Sequence, residues 1–536
     1  MTNPILLSDQ QVQEFICHGF LLLEPSVAPG LHEVIDQKLQ WISKHEGNPG
    51  NNITARLPEL QQIVESPEVR GALISLLGED FFMIPHRFWH NRNPRKKETE
   101  EGLFSEEKFK EIVGESSHQD RFSPSSPGRS HSLQYLRIMY YSHELDLIHG
   151  PTHVVPGSQY NASTEDEDRL REIPVTGKAG TVFISHFDLI HAGSPNQSDR
   201  VRNMTKLLFA RSKNPDVPNW SHNESIWVTP QNHLAPYKLE NLWKKQWHWL
   251  LGHDSIEEKP ELKKECAVEI EDELDDIQKM VHEIQSLPVS SDQIGRLMGY
   301  LNTSHQALRS SAIYSLAKIG SSAIEPLLDS ILKSKAPNDK KDDLVGGGFS
   351  LDDESYALAA CGEMSIAGLV QLLESGEPWP QINALHVISE VGKANVRVLG
   401  GIEACLNSKS NQVVSFAALA LGKVGREAHI PWLLRVLGRE YDEDNHQGLL
   451  DKNKDNVWPV QYAIHFHAAF SLVRLSVYAE SYEKEIASLL HHPFGQVSML
   501  VGECLKRIGT TSALKTLVDF LEVRRWDDSL NVQRTF

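Results

Sequence analysis

Three stretches in the C-terminal half of the chain repeat one pattern, and that repetition restricts the fold more than any other feature. They are LRSSAIYSLAKIGSSAIEPLLDSIL from Leu308, VVSFAALALGKVGREAHIPWLLRVL from Val413 and VSMLVGECLKRIGTTSALKTLVDFL from Val497. In each, apolar residues at helical spacing, such as Ala312, Leu316 and Ile319, lead to a glycine (Gly320, Gly425 or Gly509) and then to a second helical run. A weaker copy runs from His386 to Gly392. A single helix pair cannot cover its own apolar face, so units of roughly 30 to 45 residues must stack on one another. An all-α solenoid with an extended concave surface is therefore predicted from about residue 290 onward, with polar loops at 338–348 and 440–456.

The N-terminal half reads differently. Residues 132–141 (SLQYLRIMYY) and 181–185 (TVFIS) are aromatic and branched, as buried strands are. His118-Gln119-Asp120 fits an extended edge of the same sheet. Side chains alternate along a strand, so His118 and Asp120 face one side and Gln119 the other; a helix would need a spacing of three or four. His191 follows Asp120 by seventy-one residues, and Arg202 lies eleven beyond it. Two imidazoles and one carboxylate facing a common point are the ligand set that holds non-haem Fe(II) with coordination positions left open. His186-Phe187-Asp188 repeats the H-x-D spacing and is expected to be a structural histidine with an exposed turn aspartate.

Four stretches together resemble the phytanoyl-CoA dioxygenase-like Fe(II)/2-oxoglutarate oxygenases. They are LSDQQVQEFICHGFLLLE from Leu7, SHQD from Ser117, HGPTHVVPGSQ from His149 and GTVFISHFDLIHAGSPNQSDRVRN from Gly180. The resemblance covers about the first 250 residues and implies a double-stranded β-helix (jelly roll, cupin-like) with flanking helices. It makes His118, Asp120 and His191 the iron ligands and Arg202 the anchor for the distal carboxylate of the cosubstrate 2-oxoglutarate. The planar fork of an arginine suits that task, because it meets a carboxylate with two parallel hydrogen bonds. Arg200, two residues earlier, is the competitor. The family commonly carries a serine two residues after the second histidine, where this chain has Gly193. Related halogenases replace the carboxylate ligand with a small residue, so Asp120 favours oxygen insertion. The implied reaction uses O2 and 2-oxoglutarate, releases succinate and CO2, and hydroxylates an unactivated C–H of a small molecule, whether a specialised metabolite or an acyl-type substrate.

The C-terminal units resemble HEAT repeats, or the HEAT-like repeats of phycobilin lyases, which implies a surface for a protein or carrier-bound partner. A second reading makes the repeats primary, a scaffold or adaptor with a vestigial or regulatory oxygenase domain; retention of all three ligands and the arginine weighs against it. A third would place a di-iron centre in the solenoid, as in deoxyhypusine hydroxylase. His-Glu pairs start at His32, His45, His143 and His282, all before the repeats, and that reading is rejected.

Composition narrows the field. A net charge of −19 argues against a nucleic-acid binder, because affinity for phosphate backbones depends on clustered Lys and Arg. Five dispersed cysteines without a C-x-x-C motif suit a reducing cytoplasm. No apolar run reaches the roughly 18 residues of a membrane span. Ser8 and Gln11 form a capping box before a helix, so the start of the chain reads as folded protein.

The expected organisation is an oxygenase domain at 1–254, an acidic helical linker at 255–288 and the solenoid at 289–536. The linker carries a narrow apolar seam of Ile270, Leu274, Ile277, Val281 and Ile284. Residues 93–117, with a short helix at 105–113, are a candidate lid or a surface loop. Arg87, Arg92, Arg95, Lys96 and Lys97 read as a solvated charge run, with recognition of an anionic substrate as the alternative. His86 and His90 are expected in a pocket wall or the core. Trp243 and Trp247 share one face of a helix at 239–251 and are expected to pack. Gly150, Pro156, Gly157 and Ser158 read as a tight turn.

Overall fold

A computed structural model describes residues 3–94, 113, 116–120, 128–164, 171–223, 226–253, 276–336, 350–441 and 460–523. The helix Asp9–His18 begins at the Ser8 capping box and stops at Gly19, whose φ of 81° only glycine adopts easily, so that the chain turns at once into β1 (Phe20–Leu23). The other strands are β2 (Phe82–Arg92), β3 (Tyr135–Tyr140), β4 (Thr152–Val154), β5 (Ile173–Pro174), β6 (Val182–His186), β7 (His191–Gly193) and β8 (Arg202–Ala210). They form an antiparallel five-stranded sheet in the order β1-β6-β3-β8-β2 and a three-stranded sheet in the order β5-β4-β7.

Strand alternation sorts the side chains into two cores. Met139, Phe183 and Met204 of the large sheet meet Val154 of the small one, together with Tyr141, Leu145 and Leu189, in a cluster between the sheets. Leu136, Ile138, Leu207 and Phe209 point the other way and join the main core with residues of the helices Leu31–His45 and Pro67–Leu77. The helix Glu240–Leu250 buries Trp243 and Trp247 among Trp220 and Trp227, so this stripe packs as expected.

The C-terminal region is helical and double-layered. The helices Gln306–Ile319, Asp353–Ala360, Pro378–Val391, Asn411–Val424, Val460–Arg474 and Gly495–Ile508 each pack on the next, forming an inner row. Outer helices include Ser321–Lys333, Val396–Cys405, Ile430–Leu437 and Thr511–Val523. The turn at Gly425 differs from those at Gly320 and Gly509: its φ is −68°, and glycine is needed there because a Cβ would lie 2.6 Å from the Leu421 carbonyl oxygen.

Residues on every inner helix touch the N-terminal half. Tyr314 bonds His131 at 2.9 Å, Tyr356 donates to the Arg129 carbonyl, Ser130 donates to Glu390, and Lys423 donates to Gln134 and Asn214. Phe470 packs on Phe82 and Tyr135, and Arg507 donates to the Asp80 and Phe81 carbonyls. The inner row thus holds its own neighbouring strands.

Several expectations change. His118-Gln119-Asp120 does not extend the sheet of β3 and β6; it bridges β7 of the small sheet, with His118 N–H donating to the His191 carbonyl and His191 N–H returning the bond, both at 2.9 Å. Asp188 is no exposed turn residue: it is 1% exposed and paired with Arg129 at 2.8 Å. Arg87 and Arg92 are only partly solvated: both are half-buried on β2, where Arg87 donates to Thr54 and Arg92 to the Ser194 carbonyl. Arg95, Lys96, Lys97, the 105–113 helix except Val113, the 338–348 loop, nearly all of the 440–456 loop, and Ile270 and Leu274 lie outside the described residues. Ile277, Val281 and Ile284 are described, and the last two are buried on the helix Asp276–Gln285.

Candidate metal centre

The paired backbone bonds between His118 and His191 place the two imidazoles side by side, ring centroids 4.4 Å apart. Asp120 Oδ1 lies 3.8 Å from Nε2 of each. Among the described residues, these three side chains are the one His/Cys/Asp/Glu group whose ligand atoms all fall within 4.8 Å of one another. Two donors on a first-row ion at about 2.1 Å are about 3 Å apart at right angles and about 4.2 Å apart when opposed, so 3.8 Å is a spacing one ion can span.

The tautomers fit a metal. His118 Nδ1 lies 2.7 Å from the Ser116 carbonyl and His191 Nδ1 3.1 Å from the Leu189 carbonyl, so each Nδ1–H is engaged and each Nε2 turns its lone pair inward. Burial and the neighbouring Arg137 charge hold His191 well below the ordinary imidazole range, which keeps it neutral. Burial alone would raise Asp120, but Lys206 and Arg137 outweigh it and hold the carboxyl well below its usual range.

Gln119 turns to the opposite side, as the strand alternation requires. Its Nε2 donates to the Asp188 carbonyl at 2.9 Å and the Asn161 carbonyl at 3.1 Å. Ser158, in the tight turn after β4, accepts from Ile190 N–H at 3.0 Å and so fixes the residue before His191. Gly150 and Gly157 adopt φ of 70° and 80° in the same region.

Sequence reasoning missed Arg137 and Lys206. Arg137 Nη1 donates to Asp120 Oδ2 at 2.7 Å and lies 3.2 Å from His191 Nε2, while Lys206 Nζ donates to Asp120 Oδ2 at 3.1 Å. Both cations hold Oδ2, leaving Oδ1 toward the histidines. The available signal was Arg137 inside YLRIMY and, beyond the already noted Arg202, Lys206 inside RNMTKLLFA, both at inward-facing positions. His86 and His90 sit in the wall beside Lys206; burial, then the Lys206 charge, push them down to about 4 and about 3.

Residues 33–204 match the family model of phytanoyl-CoA dioxygenase (PhyH). The PhyH match contains His118, Asp120, His191, Arg137 and Arg202 and ends just before Lys206. Comparison with solved structures returns EctD from S. alaskensis with 2-oxoglutarate and 5-hydroxyectoine, 15% identical over 44% of this chain and 87% of that one, TM-score 0.31. It also returns the non-heme alpha ketoglutarate dependent carbocyclase SnoK from nogalamycin biosynthesis, 16% identical over 40% and 88%, TM-score 0.30. The non-heme monooxygenase ThoJ in its Ni complex is 16% identical over 41% and 89%, TM-score 0.28. No curated protein matches the chain.

Within the PhyH match the two candidate arginines part. Arg200 is 35% exposed and bonds Asp36 at 2.7 Å. Arg202 is 4% exposed, turns between the sheets and bonds the Tyr141 phenol, which in turn lies 2.6 Å from Thr152 Oγ1. Its Nε, like that of Arg200, is buried without a hydrogen-bond partner among the described residues, so burial and the absence of a carboxylate partner are what set Arg202 apart. A buried, incompletely satisfied guanidinium fits a carboxylate ligand. No described helix is long and apolar enough to cross a membrane.

Proposed function

We propose that this protein is an Fe(II)/2-oxoglutarate-dependent dioxygenase that hydroxylates an unactivated C–H of a small-molecule substrate in the cytoplasm. Residues 1–254 form its catalytic domain, 255–288 a linker and 289–536 a HEAT-like solenoid. The observation that carries this reading is the donor set of His118, Asp120 and His191, with both Nδ1–H groups tied to carbonyls and both Nε2 atoms facing the same carboxylate oxygen. The match of residues 33–204 to the PhyH family model supports it.

The residues divide the work. His118, Asp120 and His191 would hold Fe(II), Arg137 and Lys206 keep Asp120 ionised and fix which oxygen it offers, and Arg202 takes the distal carboxylate of 2-oxoglutarate. When bound, Fe(II), O2 and 2-oxoglutarate together supply the oxidising power, with release of succinate and CO2. The buried apolar wall of Met139, Phe183 and Met204 keeps water from one side of the site, and the half-exposed His118 marks its mouth.

For the solenoid we infer a buttress before a recruiting platform, because its inner helices are engaged by the catalytic domain. The same engagement disfavours a free scaffold with a vestigial domain. Anaerobic titration with Fe(II) and 2-oxoglutarate tests the catalytic reading. A visible metal-to-ligand charge-transfer band in the wild type, lost in His191→Ala, is expected; a folded wild type that gives no band would overturn it.

A further inference from the structure

Arg92 and Arg202 are register partners across the antiparallel pair of β2 and β8. Directly opposed residues on such strands project to the same face, with Cβ atoms about 5 Å apart, and like charges there destabilise each other. Neither guanidinium has a carboxylate partner among the described residues. Burial depresses the basicity of both, and the Arg202 charge depresses that of Arg92 further. Arg92 reaches inward as far as the Ser194 carbonyl, which accepts from its Nη1 at 2.5 Å.

The space for this reach exists because residue 193 has no side chain. A Cβ on Gly193 would lie 2.8 Å from Arg92 Nη2 and 3.1 Å from its Cζ, so any other residue would push the guanidinium away. Gly193 is the last residue of β7, two after His191, and its φ does not call for glycine. Glycine at this position thus leaves room for Arg92 where it stands. A buried cation with an unpartnered Nε and a half-buried one beside it, neither facing a carboxylate among the described residues, form a place for an anion.

We propose that Arg92 is the second half of the cosubstrate clamp: with Arg202 it holds the distal carboxylate of 2-oxoglutarate between two guanidinium groups, and Gly193 is the position that admits it. This rests on the dioxygenase reading above. It also accounts for the departure from the serine expected at residue 193: in place of a neutral hydroxyl, this chain supplies a charge from the neighbouring sheet.

The test separates the two ends of the cosubstrate. Full-length, Fe(II)-loaded protein is titrated without oxygen, following the charge-transfer absorbance, with 2-oxoglutarate and in parallel with 2-oxopentanoate, which keeps the 2-oxo acid end but has no distal carboxylate. Arg92→Ala is expected to weaken 2-oxoglutarate by about 30- to 300-fold and 2-oxopentanoate by less than about 3-fold, the loss typical of a buried charge-assisted contact. Arg92→Lys should fall between. Gly193→Ala, which leaves the arginine in the sequence but displaces it, should shift the two probes in the same pattern. Unchanged 2-oxoglutarate affinity in Arg92→Ala, or equal weakening of both probes, with the wild-type band intact, overturns the clamp and leaves the dioxygenase reading standing. A wild type that shows no band with either probe overturns both.

Discussion

Charge is buried in two regions of this protein under opposite rules. At the contact between the strands and the inner helices, each of the principal charged groups has a protein partner: Arg129 with Asp188, Glu390 with Ser130, Lys423 with Gln134 and Asn214. Between the two sheets, Arg92, Arg137, Arg202 and Lys206 converge while Asp120 is the single carboxylate that partners any of them among the described residues. Burial of an unpaired charge is costly, so the first arrangement is complete as it stands and the second is complete only with ligands. The contrast supports reading the interface as structure and the space between the sheets as the proposed binding site.

The largest effect should come from the incomplete region. His191→Ala removes an inward Nε2 and strips neither Asp120 nor Arg137 of its partner in the other, so metal affinity should fall by more than about 100-fold, beyond the range of outer-shell changes, with little change in melting temperature. Fe(II) or Co(II) titration checks the first, calorimetry the second. A large loss of stability with metal binding preserved would break the comparison.

The complete region should respond the other way. Asp188→Ala strands Arg129, which is 6% exposed, and leaves an uncompensated buried cation; about 3–5 kcal/mol of stability should be lost, measured by denaturant unfolding. Metal affinity should change far less than in His191→Ala.

Acid should open the same interface. Burial pushes His131 and His386 down to about 3 and His186 to about 4, so the folded protein keeps all three neutral while the unfolded chain protonates them near 6.5. Their contribution is therefore fully present above pH 6.5 and is lost as pH falls toward the folded values, at about 1.4 kcal/mol per histidine per pH unit. Stability at pH 5.5 should be lower than at pH 7.5 by about 4 kcal/mol from these three groups, and His386→Asn should reduce the slope. A slope unchanged by that substitution would place the acid sensitivity elsewhere.

The same contrast explains what was legible in the sequence. The convergence of His118, Asp120 and His191 was legible because residue type and strand alternation are local, and the C-terminal helices because their apolar spacing is a local pattern. Asp188 reads as an exposed turn residue in the sequence because its partner, Arg129, is fifty-nine residues away and nothing local announces the pair. The sequence places the strand of His118 beside β3 and β6 for a related reason, since its pairing with β7 spans seventy-three residues. Arg137 and Lys206 were legible in principle as charges inside strands, but only the fold shows that both reach the same carboxylate oxygen. That the inner helices hold the N-terminal half was not legible, because residues such as Phe470 look the same in a helical core and in a contact.

One side chain joins the two regions. Gln119 stands between two of the candidate ligands, yet its amide points away from them and donates to the carbonyl of Asp188, whose carboxylate meets Arg129 just before the residues that dock on Glu390 and Tyr314. Gln119→Ala removes no ligand and no charge, but it frees the strand that carries His118 and Asp120. Metal affinity should drop by about tenfold, the lower end of an outer-shell effect, and stability by about 1 kcal/mol, that of one hydrogen bond. Comparing Co(II) affinity and denaturant midpoint in wild type, Gln119→Ala and Gln119→Glu checks it. Glutamate fits the space but cannot donate to two carbonyls, so it should be no better than alanine. If glutamate restores wild-type affinity, the amide is filling volume, and the two regions are independent.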